Sequence, residues 1–121
     1  MLKTQLRQAY KETRRPMGVY RIRNLENGRS LVGRSVDLPA SLNRERAELK
    51  FGTHRIAALQ RDWNVLGPDA FEFEVLDTLS PPDDRPGYDP TDDLRVLEAL
   101  WLERLEPYDE RGYTPRPASR P

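Results

Sequence analysis

Residues 17–35, MGVYRIRNLENGRSLVGRS, set two apolar-rich runs on either side of Glu26-Asn27-Gly28-Arg29. An Asn-Gly pair accepts the positive φ angles that a two-residue turn demands, so the segment reads as a β-hairpin. No other stretch of the chain restricts its neighbours as tightly.

The flanking sequence supplies elements to cover that hairpin. Residues 2–14 read as a polar, weakly amphipathic helix with Leu2, Leu6 and Tyr10 at i, i+4 and i+8, ended by Pro16. Asp37 is placed to cap a helix running to about Lys50, with Pro39 in its first turn and Leu38, Leu42 and Leu49 as an apolar stripe. Gly52 stops it, and Thr53 is the expected cap of a helix over 54–66 with Ile56, Leu59, Trp63 and Leu66 on one face. Gly67-Pro68-Asp69 breaks the chain. Residues 70–79 then alternate Phe71, Phe73 and Val75 with Glu72, Glu74 and Asp77, the pattern of a half-buried strand. A Pro/Asp-rich loop over 80–91 leads to a helix capped by Thr91 and reaching about Leu105, with Asp92 and Asp93 at its positive end. The expected class is α+β: a small three-stranded, mostly antiparallel sheet (hairpin 17–35 plus strand 70–79) flanked by helices. The expected organisation is an N-terminal helix over 1–16, a domain over 17–114 and a flexible tail over 115–121.

The chain has no cysteine, which excludes disulfides and thiolate metal sites and makes a cytoplasmic setting the expectation. It has no apolar run approaching about eighteen residues, so no membrane span, and residues 1–16 are too polar for a secretory signal. The formal net charge is zero, but its distribution is uneven. Residues 1–61 hold 14 Lys and Arg against 5 Asp and Glu, a net of +9; residues 62–121 hold 6 against 15, a net of −9. Either the basic half faces a phosphate backbone or the two halves neutralise each other in the folded domain.

One carboxylate falls where a surface charge should not. With Leu97 at zero on a helical wheel, Trp101, Leu94, Leu105 and Leu102 lie at roughly 40°, 60°, 80° and 140°, and Glu98 near 100°. A carboxylate inside an apolar arc needs a cation or hydrogen bonds, supplied either by a metal ion or by an arginine from the hairpin.

The tripeptides Gly18-Val19-Tyr20 and Leu31-Val32-Gly33, then His54, the run Leu59-Gln60-Arg61-Asp62-Trp63-Asn64, Phe71-Glu72-Phe73-Glu74-Val75-Leu76, Glu98-Ala99-Leu100-Trp101 and Gly112-Tyr113-Thr114, follow one another in an order that resembles the GIY-YIG nuclease superfamily over about residues 17–114. The resemblance implies a metal-dependent endonuclease. Glu98 would hold Mg²⁺ or Mn²⁺, an ion for which one or two carboxylates suffice. Tyr20 would lie close to the attacking water, with His54 orienting water or tyrosine. Three positions depart from the family pattern: Ser41 stands where it has an arginine, Leu31 where it has the second tyrosine, and Thr114 where it has an asparagine. Arg44, one turn past Ser41, and Arg34, next to Gly33, are the candidates to replace the lost phosphate clamp. Arg14, Arg15, Arg21 and Arg23, with Arg34 and Arg44, are the candidate contacts to a nucleic-acid backbone. The implied partner is nucleic acid, DNA in preference to RNA, with no membrane, and with a homodimer or a separate protein for targeting. The other readings are a non-catalytic nucleic-acid-binding module on the same fold, and a protein-interaction domain.

Overall fold

The computed structural model describes residues 15–82 and 86–117. The helix expected over 2–14, and Arg14 with it, lies outside the described residues. Strand β1 is Met17–Asn24 and β2 is Ser30–Ser35; helix α1 is Leu38–Phe51 and α2 is Ala57–Leu66; β3 is Phe71–Leu79 and α3 is Thr91–Leu105. The strands form one antiparallel sheet in the order β2-β1-β3. The α+β class and the three-stranded antiparallel sheet are those expected from the sequence.

The hairpin forms, but around a longer connection than a two-residue turn. Gly28 alone in it takes a positive φ, 79°. The loop is organised by the buried Asn24, whose Oδ1 accepts from Glu26 N at 2.9 Å and whose backbone N donates to Arg29 O at 2.8 Å. Side-chain mimicry of a backbone turn is what short amides do best.

Helix α1 begins as its sequence dictates. Asp37 accepts from Ala40 N at 3.2 Å, Pro39 stands in the first turn, and Gly52 ends the helix in the left-handed conformation. Two other caps differ from expectation. Helix α2 starts at Ala57 rather than at 54, because the His54 Nδ1 takes Ile56 N–H (3.0 Å) and Gln60 Oε1 takes His54 N–H (3.0 Å). Thr91 is the first residue of α3, not its cap; its backbone N and Oγ1 both donate to Asp89.

Side chains directly opposite on paired strands share a face. Ile22, Leu31, Leu49, Leu59, Trp63, Ala70, Phe71 and Tyr113 form the core between the sheet and helices α1 and α2. Helix α3 meets the other face, where Trp101 Nε1 donates to Asp77 at 3.1 Å and Leu94 is buried. Past α3, Gly112-Tyr113-Thr114 lies along the edge of β2: Tyr113 N donates to Ser30 O at 2.8 Å and Val32 N to Thr114 Oγ1 at 3.0 Å. The chain past α3 is therefore tied to the sheet as far as Thr114.

The charge asymmetry is resolved internally in part. Arg21 pairs with Glu74, Arg29 with Asp62 and Arg34 with Glu98, each joining the basic half to the acidic half.

Candidate active site

Strand β1 sends Tyr20 towards α1, where its hydroxyl donates to Glu45 Oε1 at 3.1 Å. The same carboxylate accepts from His54 Nε2 on Oε2 at 2.5 Å and from Arg55 on Oε1 at 2.9 Å. Tyr20, Glu45 and His54 are all buried, at 5%, 5% and 8% exposure. The His54 tautomer follows from its partners: Nδ1 accepts the Ile56 N–H, so Nε2 carries the hydrogen and donates to Glu45.

Electrostatics divides this cluster into an acid and a base. Burial pushes the Glu45 carboxyl up, but the hydrogen bonds from His54 and Arg55 and the charge of Arg55 outweigh it and hold it below the usual carboxylate range. Burial, then the Glu45 charge and hydrogen bond, push the Tyr20 phenol up to about 12. At neutral pH Glu45 is a carboxylate and Tyr20 a phenol.

Glu98 sits on α3 with its side chain 19% exposed, inside the covered arc of the helix. Arg34 Nη1 donates to its Oε1 at 2.8 Å. Gly33 pairs with Tyr20 and Arg34 with Val19, and consecutive strand residues point to opposite faces, so the two groups leave β2 on different sides: Tyr20 with Glu45 and His54 on the α1 side, and Arg34 with Glu98 on the α3 side. The structure thus brings Tyr20 and His54 together through a residue that sequence reasoning passed over, Glu45.

The chain is similar to the catalytic domain of the homing endonuclease I-TevI, with a TM-score of 0.63 and 28% identity over 81% of this chain and 96% of that one. A glutamate-to-alanine mutant of the catalytic domain of the intron endonuclease I-TevI matches with a TM-score of 0.61 and 26% identity, over 75% of this chain and 84% of that one. No protein-family model and no curated protein sequence matches. The fold is the GIY-YIG fold.

The three residues that depart from the GIY-YIG pattern have structural roles. Ser41 Oγ meets Ser35 Oγ at 2.5 Å, tying α1 to the end of β2. Leu31 is a core residue, 2% exposed. Thr114 bonds across the edge of β2 to Val32 N and Ser30 O. Of the two candidate replacement clamps, Arg34 adjoins Glu98, whereas Arg44 is exposed and, among the described residues, makes no hydrogen bond or ion pair. Arg21 is bound to Glu74 and only 16% exposed, Arg23 lies opposite Glu72, and Arg15 is exposed near Asp37.

Two carboxylate groupings have donor atoms that suit a divalent ion. Glu45, Glu48 and His54 place ligand atoms within 4.8 Å of one another. There, however, Arg55 stands 2.9 Å from Glu45 and 3.8 Å from Glu48, so a guanidinium already supplies the positive charge. Glu98 fits better. Arg34 takes one of its oxygens, the other accepts no hydrogen bond among the described residues, and a partly exposed lone carboxylate suits an ion that keeps most of its waters.

Proposed function

We propose that this chain is a metal-dependent endonuclease of the GIY-YIG type, hydrolysing phosphodiester bonds of nucleic acid, with DNA as the preferred substrate. The observation that carries the reading is the likeness of this fold to an endonuclease catalytic domain, in which this chain keeps a part-exposed Glu98 paired with Arg34 and a buried Tyr20 bonded to Glu45. Glu98 would hold Mg²⁺ or Mn²⁺. Such an ion supplies Lewis-acid polarisation of the phosphate and neutralises charge on the departing oxygen.

The chain's own residues do the rest. Arg34 presents a guanidinium next to Glu98, where a scissile phosphate gains charge on its equatorial oxygens. Tyr20, its hydrogen committed to Glu45, offers oxygen lone pairs to the hydrogen of an attacking water. His54 fixes the carboxylate that holds Tyr20. Arg44, exposed on α1, and Arg15 contribute backbone contacts that position the duplex.

Nicking of supercoiled plasmid and cutting of branched DNA with Mg²⁺ or Mn²⁺, against a chelator control, test the reading. Ion-dependent cleavage is expected; a folded protein inert on every substrate contradicts it. The loss of the family arginine to Ser41, whose hydroxyl is tied to Ser35, favours a second reading as a non-catalytic nucleic-acid-binding module. That module would bind DNA with an affinity falling steeply with salt, and would leave the DNA intact.

A further inference from the structure

We propose that Glu45 is a positioning residue for the hydrolytic step: its carboxylate accepts the Tyr20 proton as the Tyr20 oxygen takes one from the attacking water. The inference rests on the nuclease reading above and assigns the destination of the proton within it.

A phenol is a weak base on its own, and this one keeps its hydrogen throughout the neutral range. Whatever proton reaches the phenol oxygen must displace the one already there. That hydrogen points along the 3.1 Å bond to Glu45 Oε1. Glu45 is ionised and is the one carboxylate bonded to Tyr20 among the described residues. The groups facing the pair come from two sides: Glu48 from α1, and His54 and Arg55 from the segment after it. His54 binds Oε2, and Oε1 accepts from both the phenol, at 3.1 Å, and Arg55 Nη1, at 2.9 Å. A carboxylate retained on the buried face of a helix, with a histidine fixing one oxygen and a tyrosine and an arginine on the other, gives the phenol hydrogen a fixed acceptor.

The step balances without a further reactant. A water O–H bond breaks as an O–H bond forms on Tyr20; the former Tyr20 O–H bond breaks as one forms on Glu45 Oε1. The electron pair freed on the water oxygen makes the new P–O bond. The ester P–O bond breaks with its pair on the departing oxygen, which takes a proton from solvent water, and Glu45 later returns its proton to solvent by the reverse route.

The test is single-turnover cleavage of a DNA substrate with Mg²⁺ from pH 6 to 9, comparing wild type, Glu45→Gln and Glu45→Asp. DNA affinity and circular dichroism are measured on the same samples. Glu45→Gln keeps the volume and an accepting oxygen but not the base, and its rate should fall by roughly 10²–10⁴-fold at unchanged affinity. Glu45→Asp keeps the base and should retain more activity than Glu45→Gln. An independent readout is the ultraviolet titration of Tyr20, taken as the difference from Tyr20→Phe: removing the Glu45 charge should lower its midpoint from about 12. Glu45→Gln cleaving within threefold of wild type, or better than Glu45→Asp, overturns the inference while leaving the nuclease reading intact. A rate loss matched by an equal loss of affinity or of fold also overturns it. An inert wild type overturns the nuclease reading, and the inference with it.

Discussion

A Cβ at position 33 would stand 2.7 Å from the Tyr20 hydroxyl and ring, so Gly33 is what lets that ring cross the edge strand to reach Glu45. The last residue of the second tripeptide and the last of the first are therefore one structural unit.

Gly33→Ala should push Tyr20 off Glu45. A buried ring displaced by one methyl typically costs about 1–3 kcal/mol. Urea unfolding should show a lower midpoint at unchanged m-value, and cleavage should fall by more than the loss of folded protein explains.

Gly112→Ala should detach the strip at the edge of β2, because a Cβ there would lie 1.7 Å from the Pro107 carbonyl oxygen. Tyr113, which donates to Asp62 and accepts from Asn24, is held by that strip. Hydrogen exchange should show lost protection at Tyr113 and Val32 before any loss at Ile22.

Stability should depend on pH at both ends. The Tyr20 pKa is raised on folding, so its contribution is complete below about 10 and is lost as pH rises from about 10 to about 12. The Glu45 pKa is lowered on folding, so its contribution is complete above the ordinary glutamate value, about 4.3, and is lost as pH falls below it. Denaturation midpoints across pH should show both edges, and Tyr20→Phe should reduce the alkaline one, leaving the part due to the Tyr113 phenol, which burial and Asp62 also push up.

Arg34→Ala should reduce cleavage by about 10²–10³-fold, as removal of one donor to developing charge does elsewhere. Arg44→Ala should change cleavage little and weaken DNA binding, with a shallower salt slope. Affinity titrations between low and moderate salt separate the two.

Elements marked by local chemistry were readable in the sequence: Asp37, Pro39 and Gly52 delimit α1, and the alternation in 71–79 gives β3. The N-termini of α2 and α3 were not, because His54, Gln60 and Asp89 divert the hydrogen bonds that Thr53 and Thr91 were expected to manage. Glu45 was missed although its position announces it. It completes the spacing Leu38, Leu42, Glu45, Leu49 on the buried stripe of α1, the same anomaly that singled out Glu98 on α3. Its partners Tyr20 and His54 lie on β1 and in the segment after Gly52, and only the fold brings them together.

The most direct measurement is single-turnover cleavage by wild type and Glu98→Ala on one DNA substrate, with and without Mg²⁺, after both are shown to be folded. Ion-dependent cleavage by wild type and a loss of at least about 10²-fold in Glu98→Ala are the expected results, on the scale of removing one electrostatic stabiliser. Equal cleavage by the two proteins, or none by wild type, would contradict the account.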